Sequence, residues 1–253
     1  MSAQGISDIE FKHVLSMLNK MSPKNVDTLC IKIIPTLSGV SGGDLLKMVM
    51  DRCHNEDGFV DMYTKFFVTI LSSDQVCSTV KSQLHRSIVS TYISWSFECT
   101  KPEELVYDGN TDPNESYDLL CKQIKYKNRQ TNMFAILINI DKHIQHTPYS
   151  IGVRLKDVLE RIRKSLIHAI QIERENPIDM LWFNIETIAM QLSKMIVLSC
   201  QADVTKSQFE IKYILTQMLG CNIRPKTKFM VMDIDDSVKQ IVNNHMKQVA
   251  SNH

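Results

Sequence analysis

Phe11, Val14, Leu15 and Leu18 fall at i, i+3, i+4 and i+7, a spacing that places four apolar side chains on one stripe of a helix. The stripe stops before Ser22-Pro23, a helix-start signal. The serine hydroxyl can accept a free backbone N–H there, and proline is tolerated at the first helical position. A second stripe follows at Val26, Leu29, Cys30 and Ile33. Two facing stripes joined by a short turn predict an antiparallel hairpin, and one hairpin is too small to bury its apolar faces alone. Pro35 should end the second helix early, because it removes a backbone donor and clashes with the preceding turn.

The same plan recurs along the chain. Gly42-Gly43-Asp44 breaks and restarts the helix, and Leu45, Leu46, Val49, Met50 and Cys53 form the next stripe. After a turn at Asp57-Gly58, Phe59, Tyr63, Phe66, Phe67 and Ile70 make its partner. A longer helix is expected from near Asp74 through Val80, Leu84, Ile88 and Trp95. The periodicity then fails over 99–115, where two prolines, an Asp-Gly pair and five acidic residues predict a loop insertion. Tyr117, Leu120, Cys121 and Ile124 resume a helix, and Met133 to Ile144 is apolar on nearly all sides, as suits a helix packed on several faces. It ends at His146-Thr147-Pro148. Further helices are expected over Leu155 to Ile170, from Asn176-Pro177 to Leu192, over Ser207 to Met218, and from Thr227 to Met246. The chain thus reads as all-α, a right-handed helical solenoid of about five antiparallel helix pairs of the HEAT or armadillo kind. It is expected to form a single unit over 9–246, with 1–8 and 247–253 as flexible ends.

Composition agrees. Of 253 residues, 43% are hydrophobic and only 8 are glycine and 7 proline, which suits a helical globular protein better than a turn-rich β protein or a disordered chain. The longest apolar run, Met133 to Ile140, is far short of the roughly 20 residues needed to span a bilayer, and the first residues lack a charged and then apolar leader. Neither membrane insertion nor secretion is expected. Seven cysteines, Cys30, Cys53, Cys77, Cys99, Cys121, Cys200 and Cys221, include no C-x-x-C pair, so reduced thiols acting as small hydrophobes are the reading rather than disulfides or a zinc ribbon. A net charge of +1 leaves nucleic-acid binding to local patches.

Three segments carry a resemblance. Leu18-Asn19-Lys20-Met21-Ser22-Pro23, followed by Leu29-Cys30-Ile31-Lys32, resembles the opening Leu-Asn-Lys-Leu-Thr-Pro hairpin of the middle domain of eukaryotic translation initiation factor 4G. Asn128-Arg129-Gln130-Thr131-Asn132-Met133-Phe134 resembles that family's basic run into Gly-Asn-Ile-Lys-Phe, with Thr131-Asn132 in place of Gly-Asn. Lys228-Phe229-Met230-Val231-Met232-Asp233-Ile234-Asp235-Asp236 resembles its final Arg-Phe-Met-x-x-Asp helix. The three stand in the family's order and reach from about Ile9 to about Val242.

The resemblance implies a stack of HEAT-type pairs with a charged insertion near the middle, where 99–115 lies. It implies a non-catalytic, cytoplasmic translation-initiation scaffold that binds a DEAD-box RNA helicase of the factor 4A type, RNA and other initiation factors. The chain reads as a minimal version, one solenoid without the cap-binding-protein peptide or the C-terminal domains of a full-length scaffold. Its Ile, Asn, Lys and Met usage suits an AT-rich or viral genome, which would make the location host cytoplasm. Related solenoids in splicing, nuclear cap binding or nonsense-mediated decay are the alternative, and a peptide adaptor with no link to RNA is the plainest one. On the resemblance, helicase contacts fall at Asn19, Lys20, Met21 and Ser22, in an exposed turn. They fall also at Asp233, Asp235 and Asp236 of the last helix, whose Phe229 and Ile234 should pack inward.

Candidate chemistry is sparse. His143 and His146 lie three apart near Asp141, but no further ligands follow at a metal-binding spacing, so no metal or cofactor is expected. Gly39 to Gly43 is the nearest thing to a phosphate-cradling loop, yet it lacks a following G-K-[ST] and a preceding strand. There is no Rossmann glycine run, and an enzyme is the least favoured class. The basic residues are more informative. From Leu119 to Ile140 no acidic residue occurs, while Lys122, Lys125, Lys127 and Arg129 cluster; Arg161, Arg163 and Lys164 form a second group. On successive repeats such groups can meet phosphates, which predicts RNA contact without sequence specificity.

Overall fold

The computed structural model describes residues 3–52, 58–97, 113–175 and 181–251. Among these the chain is all-α, with ten helices and no strand: α1 (Ala3–Asn19), α2 (Val26–Ile33), α3 (Gly42–Met50), α4 (Gly58–Ser72), α5 (Ser78–Ile93), α6 (Pro113–Ile144), α7 (Leu155–Glu175), α8 (Leu181–Leu198), α9 (Gln201–Leu219) and α10 (Pro225–Ser251). A 3-10 turn, Ile34–Gly39, follows α2. Cys53, Asp57, Cys99 and the Asn176-Pro177 helix start lie outside the described residues, as does the 99–115 loop up to residue 112. From Pro113 onward the chain is already helical.

Local chemistry explains where the helices begin. α2 starts at Val26 rather than at Ser22-Pro23, because Asn25 staples the intervening turn. Its Oδ1 accepts the Ser22 N–H at 2.7 Å, and its Nδ2 donates to the Lys20 carbonyl at 2.9 Å. Pro35 does end α2, and sits in the first turn of the 3-10 segment. α3 has a reciprocal cap: Ser41 Oγ accepts the Asp44 N–H at 3.1 Å and donates to the Asp44 carboxylate at 2.7 Å. α5 begins at Ser78, after a turn over Asp74-Gln75 in which Ser73 Oγ accepts the Gln75 N–H at 3.2 Å. α9 begins well before Ser207, with Cys200 as its cap. Residues 3–8 and 247–251, expected to be flexible, are helical.

The chain divides into two compact units, one of Met1–Trp95 with Ile124–Gly152 and the other of Ser96–Gln123 with Val153–His253. α6 contributes to both. In the first unit α2 packs on α4 and α3 on α5, while α1 lies against the 3-10 turn. In the second, α7 packs on α8 and α9 on α10, and α7 also meets α9 as α8 meets α10. Each helix of one pair therefore touches its counterpart in the next, the relation expected when helical pairs stack.

Each unit has an apolar centre of its own. Leu45, Phe66, Phe67, Ile70 and Phe134 are fully buried in the first, each side chain contributing roughly 1.5–3 kcal/mol on leaving water. Trp95, just beyond α5, stacks on Phe134 with ring centroids 5.7 Å apart. Residues 131–141 of α6 are buried without exception, the polar Thr131, Asn132, Asn139 and Asp141 included, while Lys142 and His143 of the expected apolar stretch are exposed. In the second unit Val158, Leu159, Ile162, Ile185, Ile188, Leu192, Ile211, Ile214 and Val231 are buried. Gly42 permits a close contact between α3 and α5, since a Cβ there would lie 2.1 Å from the Leu84 backbone nitrogen of α5.

Candidate functional site

The turn after α1 holds the first set of expected contacts, and it is only partly a surface. Asn19 and Lys20 are exposed and Ser22 is half-buried, but Met21 is 5% exposed and belongs to the core. Met21 is thus removed from the candidate contacts, because an apolar side chain at the end of α1 gains more by packing under the turn than by facing water. Asn19 is held by a residue that sequence reading missed. Arg52 donates from Nε and Nη2 to Asn19 Oδ1 at 3.0 and 2.7 Å, and from Nη1 to the Met48 carbonyl. These bonds lie beside a groove of about 530 Å³ whose apolar side is Phe11, Leu15 and Met48. Its charged residues are Arg52, Lys47, Asp44 and Asp51. Asp51 in turn pairs with Arg129 at 2.9 Å.

The second set lies on α10. Asp233 and Asp236 are exposed, whereas Asp235 is half-buried. Lys239 bridges the last two, 2.7 Å from Asp235 and 3.0 Å from Asp236, and these hydrogen bonds raise the pKa of its ammonium. Ile234 packs inward as expected. Phe229 does not: it is 66% exposed, because the side of α10 that meets α8 and α9 is the one carrying Val231, Ile234 and Val238.

The basic groups separate in the same way. Lys122 and Lys125 are exposed, the first in one unit and the second in the other. Lys127 is 7% exposed and engaged within the fold, so it is withdrawn as a phosphate contact. Arg129 is tied to Asp51. On α7, Arg161 lies over the ring of Phe97, 5.4 Å from its centroid, a cation–π contact that holds the guanidinium to the core edge. Lys164 pairs with Glu160 at 2.9 Å and lowers the pKa of that carboxyl, while Arg163 is exposed. Of the expected RNA-contacting residues, Lys122, Lys125 and Arg163 are exposed on the surface.

Asp141 has a structural task. Its Oδ1 accepts from Ser150 Oγ, the Ile151 N–H and the Gly152 N–H at 3.0, 2.6 and 3.0 Å, which fastens the segment after α6. His143 and His146 are exposed, and among the described residues no group of three or more His, Cys, Asp or Glu is placed to hold a metal ion. The glycine loop before α3 has two physical reasons of its own. Gly42 makes room for Leu84, and the Asp44 carboxylate occupies the helix N-terminus where an anion would otherwise sit. Cys30 is buried; burial first and the nearby Asp27 charge second push its thiol from 9.0 up to about 11. Among the described residues no helix is long and apolar enough to cross a membrane.

Among the described residues the helices expose polar turns, a groove and charged faces, together with apolar side chains such as Phe229. Compared with known proteins, the chain matches no family model, no curated protein and no solved structure.

Proposed function

We propose that this chain is a non-catalytic scaffold, a right-handed stack of HEAT-type helical pairs that binds a DEAD-box RNA helicase of the factor 4A type and contacts RNA in the cytoplasm. The observation that carries the reading is the groove beside Asn19. It combines an apolar side with charges of both signs, the composition expected of a surface that takes a protein segment rather than a small substrate. The packing of α7 on α9 and of α8 on α10 supports the stacked pairs, and the three resembling segments point to translation.

A DEAD-box helicase has two lobes that close on ATP and RNA. A scaffold that touches both lobes lowers the entropic cost of each closure without performing chemistry itself. Two contact regions are needed, and each unit offers one: Asn19 and Lys20 with the groove in the first, Asp233 on α10 in the second.

The test is the RNA-dependent ATPase rate of a factor-4A-type helicase. Wild-type protein should raise it, and Lys20→Glu with Asp233→Lys should abolish the rise while helicity and melting temperature stay unchanged. A wild-type chain that binds no such helicase at micromolar concentration would overturn the proposal in favour of a peptide adaptor.

A further inference from the structure

The solvent sides of α9 and α10 are mostly polar but expose several large apolar side chains. Phe209 is 79% exposed, Phe229 66%, Met232 52% and Tyr213 47%. The packed sides of the two helices are already accounted for. Val204, Ile211, Ile214, Leu215 and Met218 of α9 and Val231, Ile234 and Val238 of α10 are buried, where α9 meets α7 and α10, and α10 meets α8 and α9. Phe209 and Tyr213 are one turn apart on the opposite side of α9, as are Phe229 and Met232 on α10. Single exposed apolar residues need no explanation, but an exposed aromatic and an exposed thioether one turn apart on α10 mark a contact surface.

The charges on α10 indicate what covers it. Lys228 lies four residues before Met232 and Asp236 four residues after it, and both are exposed on the same stripe. In the single chain Asp236 also accepts from Lys239 at 3.0 Å. A two-fold axis through Met232 that lays α10 antiparallel on a copy of itself brings Lys228 of each chain level with Asp236 of the other. Met232 then meets its own counterpart at the centre of the contact, and Phe229 lies one turn to the side of it. Such self-complementarity is what an isologous contact requires.

The hairpin also stacks on α7 and α8 through its inner side. Its outer side is where a further hairpin would stack, and a second copy supplies one. We propose that the exposed side of α10 is a two-fold interface between copies of this chain, centred on Met232. The inference stands on exposure and charge order and does not rest on the helicase reading.

Sedimentation equilibrium of the purified chain over a wide concentration range tests it. Wild-type protein should show a reversible monomer–dimer equilibrium. Met232→Lys should leave monomer, since it sets two like charges against each other at the axis. Lys228→Glu alone and Asp236→Lys alone should each weaken the dimer about tenfold or more, because every copy adds one like-charge contact. The double variant should regain it, and so should an equimolar mixture of the two single variants, as a heterodimer. A chain that stays monomeric throughout, or a dimer insensitive to all these changes, overturns the proposal. If Met232→Lys does not fold, the charge-reversal pair and its mixture decide alone, with unchanged circular dichroism as their control.

Discussion

The backbone N–H of Ile151 donates to Oδ1 of Asp141 at 2.6 Å, and the Gly152 N–H joins it at 3.0 Å. Two successive amides converge on one oxygen because Gly152 adopts φ +74°, a region that L side chains rarely enter. The buried carboxylate therefore takes the place of a next helical turn for the segment that leaves α6. Asp141→Ala should cost roughly 2–4 kcal/mol, since three hydrogen bonds to a charged acceptor are removed and the half-buried Ile151 N–H loses its partner. Asp141→Asn should cost less, because a carbonyl oxygen remains. Gly152→Ala should cost roughly 1–2 kcal/mol through the backbone alone. Urea denaturation of the three variants measures this order.

Gly42→Ala should be among the most damaging single-methyl additions in the first unit. The new Cβ would meet the Leu84 nitrogen at 2.1 Å and its Cα at 2.4 Å. These are backbone atoms that yield only if α3 and α5 move apart, which costs about 1–3 kcal/mol or more. Gly43→Ala, whose nearest neighbour would be Ser87 Oγ at 3.4 Å, should be nearly neutral. A denaturation midpoint that falls equally for both would contradict the assigned contact.

Thiol reactivity should rank by burial. Cys77 and Cys200 are exposed, and Cys30 is buried with its thiol raised to about 11, so mild alkylation should modify the first two and spare Cys30. The pH dependence follows from the sign of the shift. In the unfolded chain Cys30 ionises from its ordinary 9.0, but in the folded chain only near 11. Its contribution to stability is therefore complete below pH 9 and is lost as the pH rises from 9 through 11. Cys30→Ala should lower the melting temperature throughout and flatten its fall across that interval.

RNA binding should depend on the exposed cations and not on the buried one. Lys122→Glu, Lys125→Glu and Arg163→Glu together should weaken binding to single-stranded RNA of any sequence and reduce the salt slope by about one for each phosphate that is no longer neutralised. Lys127→Glu should act through stability instead, because its side chain is buried. Fluorescence anisotropy titrations at several salt concentrations, set beside melting curves, separate the two effects. Unchanged affinity in the triple variant would reduce these residues to a solvated helix face.

Much of the secondary structure was legible along the chain because it depends on neighbours a few residues apart. The stripes of α4, α6 and α7, the early end of α2 at Pro35 and the restart at Gly42 all follow from helical spacing and from the backbone limits of proline and glycine. Boundaries shifted where a side chain took over a backbone group. Asn25 closed the turn that Ser22-Pro23 was expected to turn into helix, and Cys77 rather than Asp74 precedes α5.

What periodicity alone could not decide was which side of a helix is covered. α10 carries two apolar sets, Phe229 with Met232 and Val231 with Ile234 and Val238, and only the positions of α8 and α9 sent the second set inward. Met21 and Lys127 were read as surface by residue type and setting, yet both are buried, since burial is set by what packs above a residue. The bonds that define the groove join residues far apart in sequence, 33 positions between Arg52 and Asn19 and 78 between Arg129 and Asp51. No local pattern encodes such a pair. The sequence by itself determined that this chain builds helices with faces to bury, because each stripe forms within a few turns. Only the tertiary structure decided which polar groups are held, which cations reach water and which apolar face stays outside, because each of those depends on an element contributed from elsewhere in the chain.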